Sequence, residues 1–335
     1  MPNSNVLLSP VGNRVTYYDM DHNSSRCLAV ETRKDIKYVK VSPDGKLLVL
    51  VDVEGYSICY DMERDKPLSH FRFKKEVCGL AFSPDGRFLA ASFDREIRVY
   101  EKPPLLKVME PFVQVKKINT SHSEDITDLF WSPDSRFVCS TSHDCNVLMH
   151  SVFSLPSYVT QKFVGHRKRV LQVFWDGEMQ RTYTMGKDGV LYIWAWKTDV
   201  ITSEYKNEMG FQSFKRGKKL KTQSDHSETT TVVLAEELGL DGTDENPLMS
   251  HHENHFKEGR WILESKKQFF QDGTQLKSAA FSSRSSLLLL GYKNGIFGLY
   301  RIEGEDTVNL QVFSVTDKKI SHLAFNHTSS QCSNR

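Results

Sequence analysis

No C-x-x-C pair occurs in the 335 residues, and the six cysteines, Cys27, Cys59, Cys78, Cys139, Cys145 and Cys332, have no spacing that suggests a zinc site. They are expected to be reduced, mostly buried thiols. Long apolar runs are missing too: the longest aliphatic stretches, Leu47 to Val51 and Leu287 to Leu290, fall far short of the roughly 20 residues that cross a bilayer. No N-terminal stretch joins a basic region to an apolar one, so the expectation is an intracellular protein with no membrane partner. The sequons at Asn23, Asn119 and Asn326 then carry no weight, because glycosylation needs a secretory route. An excess of one charge is also lacking: 44 Lys and Arg against 42 Asp and Glu leave a net +2. Bulk electrostatics therefore does not argue for nucleic acid, and any basic partner site must be local. A composition of 39% hydrophobic and 26% charged residues still suffices for a buried core.

What the chain has in quantity is a repeat. "KVSPDGKLLVLVDVEGYSICYD" at 40–61, "AFSPDGRFLAASFDREIRVYE" at 81–101 and "FWSPDSRFVCSTSHDCNVLMHS" at 130–151 are versions of one unit. "VFWDGEMQRTYTMGKDGVLYIWAW" at 173–196 and "AFSSRSSLLLLGYKNGIFGLYR" at 280–301 are looser copies. Each holds three strand-like runs separated by two turns. An acidic or amide residue at the second turn is followed by a ring at the end of the third run: Glu54 and Tyr60, Asp94 and Tyr100, Asp144 and His150, Asp188 and Trp194, Asn294 and Tyr300. The pairs recur at roughly 40 to 50 residues, and the last interval adds an insertion of about 60. Short strands at this period, with Asp-Gly turns and no competing helical period, predict an all-β fold built from β-propeller blades. Pro43, Pro84 and Pro133 fix φ at the first turn, and Asp44-Gly45 and Asp85-Gly86 supply capping and permissive backbone angles.

The unit with Gly165-His166, Asp188 and Trp194 resembles a WD repeat. That resemblance implies a buried hydrogen-bond network of His166, Thr184, Asp188 and Trp194. In the other units Tyr or His replaces the Trp, so Asp94 with Tyr100 and Asp144 with His150 are the corresponding candidates; only the unit at 121–152 keeps a loop histidine, His122. "LLSPVGNRVTYYDM" at 7–20, "GHRKRVLQVFW" at 165–175, "YTMGKDGVLYIWAW" at 183–196 and "GYKNGIFGLYRI" at 291–302 are similar to the N-terminal propeller of a WD-repeat family of the small-subunit processome. The resemblance implies a nucleolar scaffold in rRNA processing, in a hetero-oligomeric small nucleolar RNP with other WD-repeat proteins, and possible direct contact with pre-rRNA or snoRNA. It also implies a seven-bladed parent with a second propeller. Here five complete or near-complete units are flanked by half units at 7–20 and 308–335, so a single, incomplete WD-repeat propeller spanning 1–335, with an open or imperfectly closed ring, is expected.

Residues 198–258 interrupt the repeat with a polar stretch, basic in "FKRGKKLK" and acidic in "AEELGLDGTDEN", that reads as a disordered inter-blade insertion. Its cluster Lys215, Arg216, Lys218, Lys219 and Lys221 is either a solvated linker or a nuclear-localisation or RNA-contacting segment. A second basic group, Arg167, Lys168 and Arg169, reads as a solvated loop. "HHENH" at 251–255 fails the zincin pattern, since Phe256 stands where the second histidine belongs. No G-x-S-x-G nucleophile motif and no EF-hand ligand spacing occur. Thus no catalytic residue, metal or cofactor is expected, and a propeller hydrolase would need acids or histidines from several blades converging on the axis. The remaining alternative is a WD-repeat adaptor in ubiquitin ligation, trafficking or signalling, which the repeats alone do not separate from the scaffold.

Overall fold

The computed structural model describes residues 6–154, 158–176, 179–197, 260–269, 275–282, 285–303, 306–315, 320, 323–325 and 332–334. Two compact units divide the chain: residues 1–196 with 261–335, and residues 197–260, of which nearly all lie outside the described set. Among the described residues every regular element is a strand. The first sheet is β1 (Val6–Val11), β2 (Arg14–Asp19) and β3 (Ser24–Glu31). Five four-stranded sheets follow. They are β4 (Ile36–Val41), β5 (Leu47–Asp52), β6 (Tyr56–Asp61) and β7 (Lys66–Arg72); then β8 (Gly79–Phe82), β9 (Phe88–Phe93), β10 (Glu96–Glu101) and β11 (Gln114–Asn119). Next come β12 (Ile126–Trp131), β13 (Phe137–Ser142), β14 (Val147–Ser151) and β15 (Gln161–Phe163), and then β16 (Val170–Trp175), β17 (Arg181–Gly186), β18 (Val190–Lys197) and β19 (Arg260–Gln268). The last are β20 (Leu276–Ser282), β21 (Leu287–Tyr292), β22 (Ile296–Glu303) and β23 (Asp306–Ser314), before a two-stranded sheet of β24 (Leu323–Phe325) and β25 (Cys332–Asn334). Each sheet is an antiparallel meander, as propeller blades are.

The second strand of a blade explains the stacking. In β5 all six residues are buried, because both faces meet another sheet. Alternation then splits them. Leu48 and Leu50 pack with Val15, Leu28 and Val30 of the first blade, while Leu47, Val49 and Val51 pack with Leu80, Leu89, Ala91 and Phe93 of the third. β9 repeats the device: Leu89, Ala91 and Phe93 face back, and Phe88 and Ala90 face forward onto Ile126, Leu129 and Val138. Met185 and Tyr183 likewise join Leu288, Leu290 and Tyr292 across the next seam. A bulge recurs where the first strand of a blade begins, at Ile36/Tyr38, Ile126/Asp128, Val170/Gln172 and Leu276/Ser278, and bends that strand at its entry.

Both repeated turns have a visible chemistry. Ser83 Oγ accepts from the Phe88 amide at 2.9 Å and donates to Asp85, whose carboxylate accepts the Arg87 amide at 3.0 Å. Ser42 with Asp44 and Ser132 with Asp134 do the same. Burial opposes ionisation of Asp44, but the ammonium of Lys102 and the Ser42 hydroxyl outweigh it and bring its carboxyl down to about 2. The second turn needs a left-handed residue. Gly55, Gly189 and Gly295 supply it at φ 81°, 77° and 75°, and Cys145 holds the same position at φ 64°.

The first sheet aligns out of phase with the others. The hairpin turn at Gly12 joining β1 to β2 corresponds to the turn at Gly55 joining β5 to β6, and "YYDM" at the end of β2 corresponds to "CYDM" at the end of β6. β1 is therefore a second strand, and the described residues place no strand inside it. The unit expected at 7–20 extends through β3, and residues 308–314 of the unit expected at 308–335 belong to β23, the fourth strand of the sheet of β20 to β22.

Because L side chains strain a left-handed turn and glycine does not, Cys145→Gly should raise stability by about 0.5–1 kcal/mol, read as a higher denaturation midpoint at unchanged slope. An unchanged or lower midpoint would refute this reading of the turn.

Candidate functional site

In the fifth blade the loop leaving β15 carries Gly165 and His166, and the β17–β18 turn carries Asp188. His166 Nε2 lies 2.8 Å from Thr184 Oγ1, and Trp194 Nε1 donates to the same oxygen at 3.0 Å. Thr184 is fully buried. His166 Nδ1 stands 3.9 Å from Asp188 Oδ1, too far for a hydrogen bond, and no partner satisfies it within hydrogen-bond reach. Burial pushes the Asp188 carboxyl up, but the His166 ring and the Val190 amide outweigh it and hold the group below the usual range. A Cβ on Gly186 would stand 2.3 Å from Asp188 Oδ1 and 2.5 Å from His166 Nδ1, so the space between them depends on glycine.

The fourth blade holds a tighter version. His122 Nδ1 is 2.9 Å from Asp144 Oδ2 and its Nε2 is 2.9 Å from Ser140 Oγ, which in turn lies 3.3 Å from His150 Nε2. Asp144 also accepts the amides of Ser123 and Asn146, at 3.1 and 2.9 Å. These contacts overcome burial and keep Asp144 below its ordinary value. His150 takes the tryptophan position; burial first, then the neighbouring His122 and Lys116, lower its pKa to about 4.

The third blade departs from the expectation. Asp94 and Tyr100 share no network. The β9–β10 connection is a tight hairpin in which Phe93 pairs with Glu96, so Asp94 itself takes the left-handed position, at φ 49°. Its carboxylate points outward and pairs with Lys75 at 2.7 Å. Tyr100 packs among Phe73, Phe112 and Leu89 in the core instead. Ala91 stands at the place of Ser140 and Thr184, so this blade has no hydroxyl to share between a loop histidine and the closing ring. In the second blade Asp52, not Glu54, caps the turn by accepting the Glu54 and Tyr56 amides at 2.9 and 2.8 Å. The fixed distance to the closing ring misses Asp52, which lies three residues before the positive-φ Gly55 of the same turn.

The His, Thr and Asp of the fifth blade resemble a hydrolytic triad in composition only. Their hydroxyl is sealed from solvent and already shared by Trp194. Among the described residues no group of three His, Cys, Asp or Glu side chains is placed to hold a metal ion, and no helix is long and apolar enough to cross a membrane. Cys59 and Cys139 are buried, with burial raising both thiols and Cys59 to about 12, whereas Cys27 is exposed and Cys78 and Cys145 are half-buried. The polar variety lies at the rim. Arg167, Lys168 and Arg169 are exposed, and the Lys187 amide donates to the Arg169 carbonyl at 2.9 Å. Partial burial and the adjacent cations Lys277, Arg169 and Lys168 hold Lys187 below its ordinary pKa. Lys215, Arg216, Lys218, Lys219, Lys221 and the "HHENH" stretch lie outside the described residues.

Residues 65–101 and 113–151 match the WD domain, G-beta repeat family. The chain is a WD-repeat β-propeller. A chain in the crystal structure of a mitotic checkpoint complex superposes on this WD-repeat propeller with a TM-score of 0.67, covering 99% of this chain and 81% of that one at 15% identity, a likeness of fold. In sequence, the propeller is 30% identical to the periodic tryptophan protein 2 homolog of Schizosaccharomyces pombe over 98% of its length and 33% of the relative's. Periodic tryptophan protein 2 of Saccharomyces cerevisiae is 28% identical over 96% of this chain and 31% of its own, and the mouse homolog 26% over 96% and 34%. This WD-repeat chain thus spans about a third of the length of the curated relatives it matches.

Two outcomes follow from the networks. Thr184→Val leaves the Trp194 N–H and the His166 ring without their shared oxygen and should cost about 2–4 kcal/mol in thermal or urea unfolding. Because His150 in the folded chain titrates near 4, below the 6.5 of an exposed ring, the unfolded state takes up the extra proton. Stability from this group is complete above about 6.5 and is lost as pH falls towards 4, by at most about 3 kcal/mol. His150→Phe should flatten that part of the stability profile between pH 6.5 and 4, and an unchanged slope would refute it.

Proposed function

We propose that this WD-repeat propeller is a non-enzymatic protein-interaction scaffold in small-subunit rRNA processing, within a nucleolar small nucleolar RNP assembly in the nucleus. The observation that carries the reading is the similarity to periodic tryptophan protein 2 along 96–98% of the chain in relatives from fission yeast, budding yeast and mouse. The resemblance of the repeats to that family, which works in the processome, points the same way. The mechanism is rigid display. Blade stacking fixes the loops of both rims, and partners, foremost other WD-repeat proteins, dock on them. The polar side chains that suggest chemistry are consumed inside the blades: Thr184 and Ser140 by the ring nitrogens, and Asp144 by backbone amides and His122. Exposed cations such as Lys168 and Arg169 remain available for phosphate contacts with pre-rRNA or snoRNA.

Affinity purification of the tagged full-length protein from cells, with RNA sequencing and mass spectrometry, should recover pre-rRNA and other WD-repeat proteins, and imaging should show nucleolar enrichment. Recovery of neither, with a ubiquitin ligase or trafficking complex in their place, would replace this reading by the adaptor one.

A further inference from the structure

At the seam between the first and second blades lies a cleft of about 480 Å³, lined by Glu31, Arg33, Tyr56, Ile58, His70 and Arg72 among others. Its construction follows from register. Tyr56 stands directly opposite Arg72 on β6 and β7, and Ile58 opposite His70, so all four project from one face of the second blade. Ile58 continues downward into the apolar cluster that joins this blade to the first, giving the cleft an apolar floor. The guanidinium of Arg72 lies 4.6 Å from the centre of the Tyr56 ring, and that of Arg33 lies 4.5 Å from the same ring. Arg33 arrives from the link between β3 and β4, where Thr32 anchors the backbone. The Thr32 amide donates to the Asn13 carbonyl at 2.9 Å, and its hydroxyl reaches the Lys34 carbonyl at 2.7 Å.

Two like charges drawn to one ring without a counter-ion is an unusual surface arrangement. Among the described residues neither guanidinium makes an ion pair, although each is exposed. The one carboxylate in the lining, Glu31, is engaged elsewhere: Asn13 donates to it at 2.7 Å and Arg14 at 3.1 Å. The ring holds both planar forks by cation–π attraction, so less side-chain entropy remains to be lost when an anion binds.

We propose that Arg33, Tyr56 and Arg72 form a binding site for the phosphate of a phosphorylated side chain in an extended peptide segment of a partner protein. A phosphomonoester carries a charge of roughly −1.5 to −2 and three acceptor oxygens, which matches two guanidinium forks better than a single carboxylate does. An extended peptide fits because β3 and β7, which flank the cleft, are each the last strand of their sheets among the described residues. A nucleic-acid backbone fits less well. It needs a row of cations, whereas Asp35 stands two residues after Arg33 in the same link and Glu54, two residues before Tyr56, pairs with Lys34. The site depends on the cleft alone and stands or falls separately from the role in rRNA processing.

The test uses the purified full chain and three degenerate peptide pools with a central phosphoserine, phosphothreonine or phosphotyrosine, each beside its unphosphorylated match, with a 20-nucleotide poly(U) RNA as a separate arm. At least one phosphorylated pool should bind tenfold or more tightly than its match. Arg33→Ala/Arg72→Ala should abolish that preference, as should Arg33→Lys/Arg72→Lys, which keeps the charge and removes the forks. Arg95→Ala/Lys162→Ala, at exposed cations on other blades, should preserve it. All the arginine substitutions are at exposed positions, and circular dichroism melts should match the parent chain. No preference for any phosphorylated pool, a preference that survives both double variants, or a loss confined to poly(U) binding would each overturn the proposal.

Discussion

Stacking of one sheet on the next is the constraint on which the rest of this structure depends. A blade's second strand has no solvent face, so every residue of β5, β9 and β13 is buried and must serve one seam or the other. A shift of one residue would exchange the two sets and empty both interfaces at once. The first turn, with its Ser-Pro-Asp hydroxyl and carboxylate, sets where the second strand begins. The second turn, with its left-handed residue, sets where it ends. Both turns therefore act on packing through register, well beyond their own few hydrogen bonds.

The buried histidine networks belong to the same logic. A loop leaving one blade must be tied to the turn of the next, and in the fourth and fifth blades an imidazole makes that tie from inside the core. His122 bridges Asp144 and Ser140, and His166 reaches Thr184 beside Trp194. In the third blade the tie is made at the surface by Lys75 and Asp94, and aromatic packing around Phe73 fills the interior. The surface pair is more exposed to screening by salt, and the ring cluster carries more of the load. One architecture thus tolerates two solutions because the sheets on either side already fix the geometry.

Much of this was legible in the chain. Repetition of Ser-Pro-Asp and of the closing ring located the blades, because those features are local and recur. Asp94 was not legible, since its six-residue distance to Tyr100 equals that of Asp144 to His150 while its hairpin is tighter, and a fixed spacing cannot distinguish the two. Asp52 was hidden for the same reason. The cleft of Arg33, Tyr56 and Arg72 was invisible for another: it is assembled from a loop of one blade and two strands of the next, and only cross-strand register brings the three together.

The account holds that the stacked second strands form one cooperative body that carries a rigid rim. Native-state hydrogen exchange resolved to single strands tests this most directly. β5, β9, β13, β17 and β21 should exchange only through a common opening near the global unfolding free energy, while the rim loops exchange far sooner. If one of these strands opened alone at a much lower free energy, the blades would be independent units and the rigid-scaffold account would be contradicted.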